Sequence, residues 1–400
     1  MISTNESGNG NNSGRDSYPE NSVNGGENNP KRPWYLIEDT RALESPALVI
    51  YYDRLIDNIR RIKKMVGDDS RIRPHVKTSK MPAVCRILQQ HYITRFKCAT
   101  IAEAEMLAQL NAEDVLLAYP LIGPDLERWL QLLKRYNKTH FSCLVSNLEN
   151  ARHLNSRAKS AAVQLGVYVD IDAGMHRTGI APDKAAFFIE ELKKLSHVQL
   201  IGLHVYDGHL KIDDPVERQA ASDELFVPVK ELLDRCNRLR ATPLKLIIGG
   251  SPSFSTHIKR QGAELSPGTF VFWDQGYAMH FKDLPFEPAA VIITRVIDHL
   301  DNGTCTVDMG TKAIASEMPF PRARFLNAPD LQEVFQSEEH LNLRLKEGST
   351  AQLPPVGSLL YAVPFHICPT VALYDHAWVI KKAKVADQWQ VQARKRKINF

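Results

Sequence analysis

The chain has 400 residues, 44% hydrophobic and 24% charged, with a formal net charge of +4 at pH 7. This composition allows a large buried core and excludes wholesale disorder, and the length fits one large α/β barrel with a smaller companion domain. The basic excess is small and partly gathered in Arg394-Lys395-Arg396-Lys397, which reads as a solvated tail and gives no reason to expect nucleic acid as a partner.

Residues 1–30 are mostly Asn, Gly, Ser and Glu, with too little apolar surface to offset the entropy of ordering, so a disordered tail is expected. Residues 31–52 contain the run Pro46-Ala47-Leu48-Val49-Ile50-Tyr51, β-branched and aromatic enough for a buried strand. Short apolar runs then alternate with amphipathic stretches. The strand candidates are 71–77, 95–100, 115–120, 141–145, 165–172, 200–206, 244–250 and 270–274. Thr100 followed by Glu103 predicts a capped helix start between two of them. Eight strands with helical crossovers predict a (β/α)8 barrel over 53–284, with a doubly wound open sheet as the competing geometry. From 285 to 400 the pattern turns strand-rich and predicts a second, mostly β domain. No apolar stretch reaches bilayer length and no charged-then-apolar leader opens the chain, so no membrane is expected. The six cysteines form no Cys-x-x-Cys pair, so free thiols and a cytoplasmic location are expected.

In a barrel, chemistry gathers at the C-terminal ends of the strands. Gly250 and Ser251 stand at the end of the seventh candidate, and Gly268 and Thr269 precede the eighth. Glycine permits close approach of backbone N–H groups and hydroxyls add donors, as a phosphate requires; the alternative is a tight turn. Lys77 ends the first candidate beside Arg73, His75 and Lys80. Burial and nearby cations would expose its neutral, nucleophilic amine, as in a Schiff-base lysine. His366 and Cys368 alternate on an extended segment and suit a divalent metal, zinc above all, although a buried Cys beside an unrelated His is the plainer reading.

Six motifs carry a family resemblance: Arg73-Pro74-His75-x-Lys77-Thr78, Met175-His176-Arg177-Thr178-Gly179, Gly202-x-His204-x-Tyr206-Asp207-Gly208-His209, Gly249-Gly250-Ser251, Ser266-Pro267-Gly268-Thr269 and His366-x-Cys368-Pro369-Thr370. In this order they resemble the D-threonine aldolase and D-serine dehydratase family. These are fold-type III enzymes that use pyridoxal phosphate (PLP) and are related to alanine racemases. The resemblance implies that Lys77 holds PLP covalently, that Arg177 meets its phenolic oxygen and that Tyr206 lines its ring. It also implies that Gly250, Ser251, Gly268 and Thr269 hold the phosphate, and that His366 and Cys368 bind zinc, or else manganese or magnesium. It further implies that the strand in 31–52 pairs with the C-terminal domain, that the substrate is a small D-amino acid and that the chain forms a homodimer. Ser79 and Phe365 depart from the family pattern, where His and Asn or Ser are usual. Ser266 stands where racemases carry an arginine, and this neutral partner suits elimination or retro-aldol chemistry better than racemisation.

The implied activity is therefore a PLP- and metal-dependent lyase on D-3-hydroxy amino acids. Retro-aldol cleavage to glycine and an aldehyde is the first reading, from similarity around Pro369–Asp375. Dehydration of D-serine to pyruvate and ammonia is the alternative, because His-x-Cys is the more usual dehydratase pair. An amino-acid racemase and a non-catalytic PLP-binding protein are the more distant rivals.

Overall fold

The computed structural model describes residues 32–238 and 240–400; the tail expected over 1–30 lies outside them. Strand β1 (Ala47–Tyr51) is followed by seven short strands. These are β2 (Arg95–Cys98), β3 (Asp114–Pro120), β4 (His140–Val145), β5 (Leu165–Ile171), β6 (Val198–Val205), β7 (Lys245–Ile248) and β8 (Ala263–Leu265). The seven form one parallel sheet in sequence order from β2 to β8, as strands separated by helical crossovers must.

The stretch 72–76 closes this sheet into a barrel. It bridges β8 at Ile72–Leu265 and β2 at His75–Lys97, and the Arg73 and Val76 amides donate to the carbonyls of Leu265 (2.8 Å) and Lys97 (2.9 Å). Inside lies an apolar layer of Leu116, Leu144, Tyr168 and Ile247. The expected (β/α)8 barrel with a mostly β second domain is thus the observed architecture. Thr100 caps the helix Ile101–Gln109, its hydroxyl accepting from the Glu103 amide at 3.1 Å. The Glu103 carboxylate reaches the Ala99 amide (2.6 Å), so the reciprocal half of the capping box is shifted by one residue.

Two strand readings are corrected. The eighth strand is Ala263–Leu265, whereas Phe270–Asp274 runs through a 3-10 turn, Thr269–Val271, into the helix Gln275–His280. A short apolar run buried on every side has no period that separates strand from turn, and the true strand hides because Glu264 sits at its centre. The first candidate, 71–77, is a bridged barrel segment, interrupted by Pro74, that holds no continuous ladder.

The second sheet contains β9 (Ala290–Leu300), β10 (Thr304–Val307), β11 (Ala323–Phe325), β12 (Leu331–Gln336), β13 (Leu341–Leu345), β14 (Leu359–Pro364), β15 (His376–Lys381) and β16 (Lys384–Gln390). It also takes up β1, antiparallel to β9 and parallel to β15. The barrel's helix Tyr52–Val66 starts directly from β1, so the chain enters the barrel already anchored in this sheet. β14 leads straight into His366 and the helix Ile367–Val371.

Candidate active site

Lys77 follows the closing barrel segment, with its amide donating to His75 Nδ1 at 3.3 Å. Its side chain faces a cavity of about 600 Å³ also lined by Tyr206, Gly250, Ser251, Gly268, Thr269, His366 and Cys368. On the far wall the amides of Gly268 and Thr269 converge on one oxygen, Ser251 Oγ, at 3.2 and 3.0 Å. Two adjacent N–H groups aimed at one acceptor are what an anionic oxygen needs. Glycine is required twice here. A Cβ on Gly250 would lie 2.7 Å from Tyr206 Cε2, and one on Gly268 would lie 2.7 Å from the His75 carbonyl oxygen. Behind this wall the Gly250 amide donates to Ser253 Oγ (3.1 Å), which donates to the buried Asp207 carboxylate. His257 Nε2 meets the other Asp207 oxygen at 2.7 Å.

Arg177 stands on the loop after β5. Asp172 folds that loop by accepting from the amides of Gly174 and His176, both at 3.0 Å. The Arg177 guanidinium lies 4.9 Å from the Tyr206 ring centroid and lines a recess of about 360 Å³ that shares Lys77 and Tyr206 with the larger cavity. The structure thus brings all nine sequence-derived site residues to one mouth of one barrel: eight around the larger cavity and Arg177 in the adjoining recess.

His366 and Cys368 are not both on extended chain. His366 caps the helix Ile367–Val371 and Cys368 lies in its first turn. That turn starts there because the buried Asp274 carboxylate accepts the Ile367 amide at 3.0 Å, and Pro369 needs no donor so early in a helix. Burial alone would lower the His366 imidazole, but the Cys368 thiol and the Glu317 carboxylate at its Nδ1 outweigh it and push it up to about 9. The Thr78 hydroxyl lies 3.1 Å from Cys368 Sγ and couples this pair to the lysine segment. Burial raises Asp274 to about 6.

The cations expected beside Lys77 are otherwise engaged. Arg73 is fully buried between Asp114 (2.8 Å) and Glu264 (2.5 Å), and Lys80 pairs with Glu103. Burial, then Lys77, hold His75 well below its ordinary value. A residue not singled out in the sequence, Lys97 on β2, takes their place. It is 2% exposed, lines both cavities and lies 5.6 Å from the Tyr206 centroid. Its signal was a lysine flanked by Phe96 and Cys98 at a strand position facing the barrel interior.

The amide-lined oxygen position, the two glycines without room for a side chain and the facing Lys77 amine fit a phosphate-bearing aldehyde cofactor. The imidazole and thiol from one segment fit a soft divalent ion. Among the described residues no third His, Cys, Asp or Glu completes a cluster with them.

Comparison with known proteins gives the family and the fold. The model of the alanine racemase N-terminal domain matches residues 50–275, and a serine dehydratase domain model matches residues 289–380. The chain is 25% identical over 358 residues to a D-threonine aldolase of an Arthrobacter species, covering 88% of this chain and 93% of the relative. It is 27% identical over 371 residues to a 3-hydroxy-D-aspartate aldolase of Paracoccus denitrificans, covering 89% and 93%. The crystal structure of a D-threonine aldolase from Filomicrobium marinum shares the fold, with a TM-score of 0.81 at 24% identity over 88% of this chain and 96% of that one.

Proposed function

Because the chain belongs to the family defined by the alanine racemase N-terminal domain, we propose that it is a PLP- and metal-dependent lyase that cleaves D-3-hydroxy amino acids to glycine and an aldehyde. The observation that carries this reading is the single cavity in which Lys77 faces both the amide-lined oxygen position at Gly268 and Thr269 and the His366–Cys368 pair. The names of the two similar aldolases support it.

When bound, PLP supplies an electron sink for a bond at the substrate's Cα, and a divalent cation supplies Lewis acidity at its β-oxygen. In this reading Lys77 Nζ holds the cofactor aldehyde and carries the proton that replaces the lost side chain at Cα. The Gly268 and Thr269 amides with Ser251 Oγ hold the phosphate beside Gly250, which leaves room for it, Arg177 donates to the phenolic oxygen, and Tyr206 supports the ring. His366 and Cys368 hold the cation. Ser266 Oγ donates to the Arg73 carbonyl at 2.8 Å, which leaves a neutral group where racemisation would favour a cation. Residues 53–284 form the cofactor-binding unit, and 285–400 bring the metal pair, tied to the barrel through 31–52. The six cysteines are free, which supports a reducing, cytoplasmic setting, and a homodimer completes the reading.

Dehydration is the second reading, favoured by the thiol of Cys368. PLP-loaded protein is incubated with D-threonine, D-serine and D-3-hydroxyaspartate, with and without chelator. Glycine plus aldehyde, lost on chelation, supports retro-aldol cleavage, whereas a 2-oxo acid plus ammonia supports dehydration. Interconversion of alanine enantiomers unaffected by chelator would replace both with a racemase, and PLP binding without turnover would leave a carrier.

A further inference from the structure

Lys97 lies on β2 in register with Leu116 of β3, and Leu116 belongs to the apolar layer inside the barrel. Parallel neighbours in register point to the same face, so the Lys97 side chain rises from that layer into the barrel mouth. It is fixed there by its own backbone, whose amide donates to the Pro74 carbonyl at 2.9 Å and whose carbonyl accepts from Val76 at 2.9 Å. It is 2% exposed, yet among the described residues its ammonium has no hydrogen-bond or ion-pair partner. The two nearby carboxylates are committed elsewhere, Asp170 to His204 and Thr178 and Asp207 to Ser253 and His257.

A buried cation without a partner is costly unless an anion arrives. The recess it faces is walled by the small side chains Ala99 and Ala118, and by His204, whose buried Nε2 is likewise unpartnered. Lys97 also lines the larger cavity with Ser251, Gly268 and Thr269, but those three residues do not line the recess, where Arg177 and Lys97 stand among groups that include no carboxylate.

Resting on the lyase reading for the identity of the ligand, we infer that Lys97 is the group that receives a carboxylate of the substrate in this recess. That carboxylate is either the one every amino acid carries at Cα or the second one of a dicarboxylic 3-hydroxy amino acid. Lys77 and Arg177 add positive potential around Lys97, Asp207 and Asp170 oppose it, and burial keeps the neighbouring His75 and His204 imidazoles below their ordinary value. Burial, then Lys77, push the free amine down to about 7. A bound anion raises it again, so binding at pH 8 takes up a proton at Lys97.

The test compares PLP-loaded wild type, Lys97→Met and Lys97→Arg. With Lys97→Met, a KM at least tenfold higher for both D-threonine and D-3-hydroxyaspartate identifies the Cα carboxylate. A rise for D-3-hydroxyaspartate alone identifies the second carboxylate. In either case Lys97→Arg recovers much of the loss. An unchanged KM for both substrates, with or without a fall in kcat, overturns the inference. A second arm titrates succinate by calorimetry at pH 8 in buffers of different ionisation enthalpy. Wild type binds with proton uptake, and Lys97→Met binds at least tenfold more weakly without it; equal binding and equal uptake in the two proteins overturn the inference. This arm decides the role of Lys97 even if wild type turns over none of the hydroxy amino acids, the outcome that would sink the lyase reading alone.

Discussion

Two buried cations sit inside the same barrel and do opposite things. Arg73, 0% exposed, is bonded to Glu264 and to Asp114 at the N-terminal end of β3. Those carboxylates outweigh burial and keep its charge in place. Lys97, 2% exposed, stands nearer the mouth with no carboxylate of its own. The first charge is answered by the protein, and removing it would strand its partners. The second is left open, and a ligand must answer it. The contrast follows the division of labour in barrels, with stability built at the N-terminal face and chemistry at the C-terminal one.

The largest way to sharpen the contrast is to delete each charge. Arg73→Met strands Asp114 and Glu264 and is expected to cost about 3–5 kcal/mol of folding stability, read by urea denaturation at pH 7. Lys97→Met replaces an unpaired ammonium with an apolar chain and is expected to leave stability unchanged or higher. If the two variants lost stability equally, the two sites would not differ as described.

The pH dependence of stability separates the two sites again. The Lys97 amine stands at about 7 in the folded chain against 10.5 as a free group. Between these values the unfolded chain binds one more proton, so stability rises with pH, by up to about 1.4 kcal/mol per unit from this residue. The penalty is complete below pH 7 and gone above about 10.5. The slope between pH 7.5 and 9 should therefore be steeper in wild type than in Lys97→Met; parallel slopes would place the Lys97 amine in an ordinary environment.

Smaller effects are expected on the other walls of the mouth. Gly268→Ala puts a methyl group 2.7 Å from the His75 carbonyl oxygen and should weaken PLP binding about tenfold, roughly 1.4 kcal/mol, in an absorbance titration. Glu317→Gln removes a group that raises His366. In metal-free protein followed by NMR, the imidazole should then titrate below its value near 9; no change would mean that Glu317 does not support it.

The barrel was legible because its strands are short apolar runs separated by helices whose starts are marked, as at Thr100. Where a charge replaces an apolar residue inside the barrel, the pattern fails. Glu264 hid the eighth strand, and the buried run Phe270–Trp273 took its place in the reading. The same blindness concealed Lys97, because periodicity can say that a position faces inward but not that its charge has no partner. Gly250 and Gly268, Lys77 and the His366–Cys368 pair, which line one cavity, were readable through motif chemistry. The polar strands Leu331–Gln336 and Lys384–Gln390, exposed at sheet edges, left no such trace.

The lyase reading depends on which amine carries the cofactor, and Lys77 and Lys97 are the two lysines that line both cavities. Borohydride reduction of PLP-loaded protein, followed by peptide mapping, fixes the cofactor to the amine that holds it. The label is expected on Lys77, with no label and no visible absorbance band in Lys77→Ala. A label on Lys97, or an unaltered band in Lys77→Ala, would contradict that assignment.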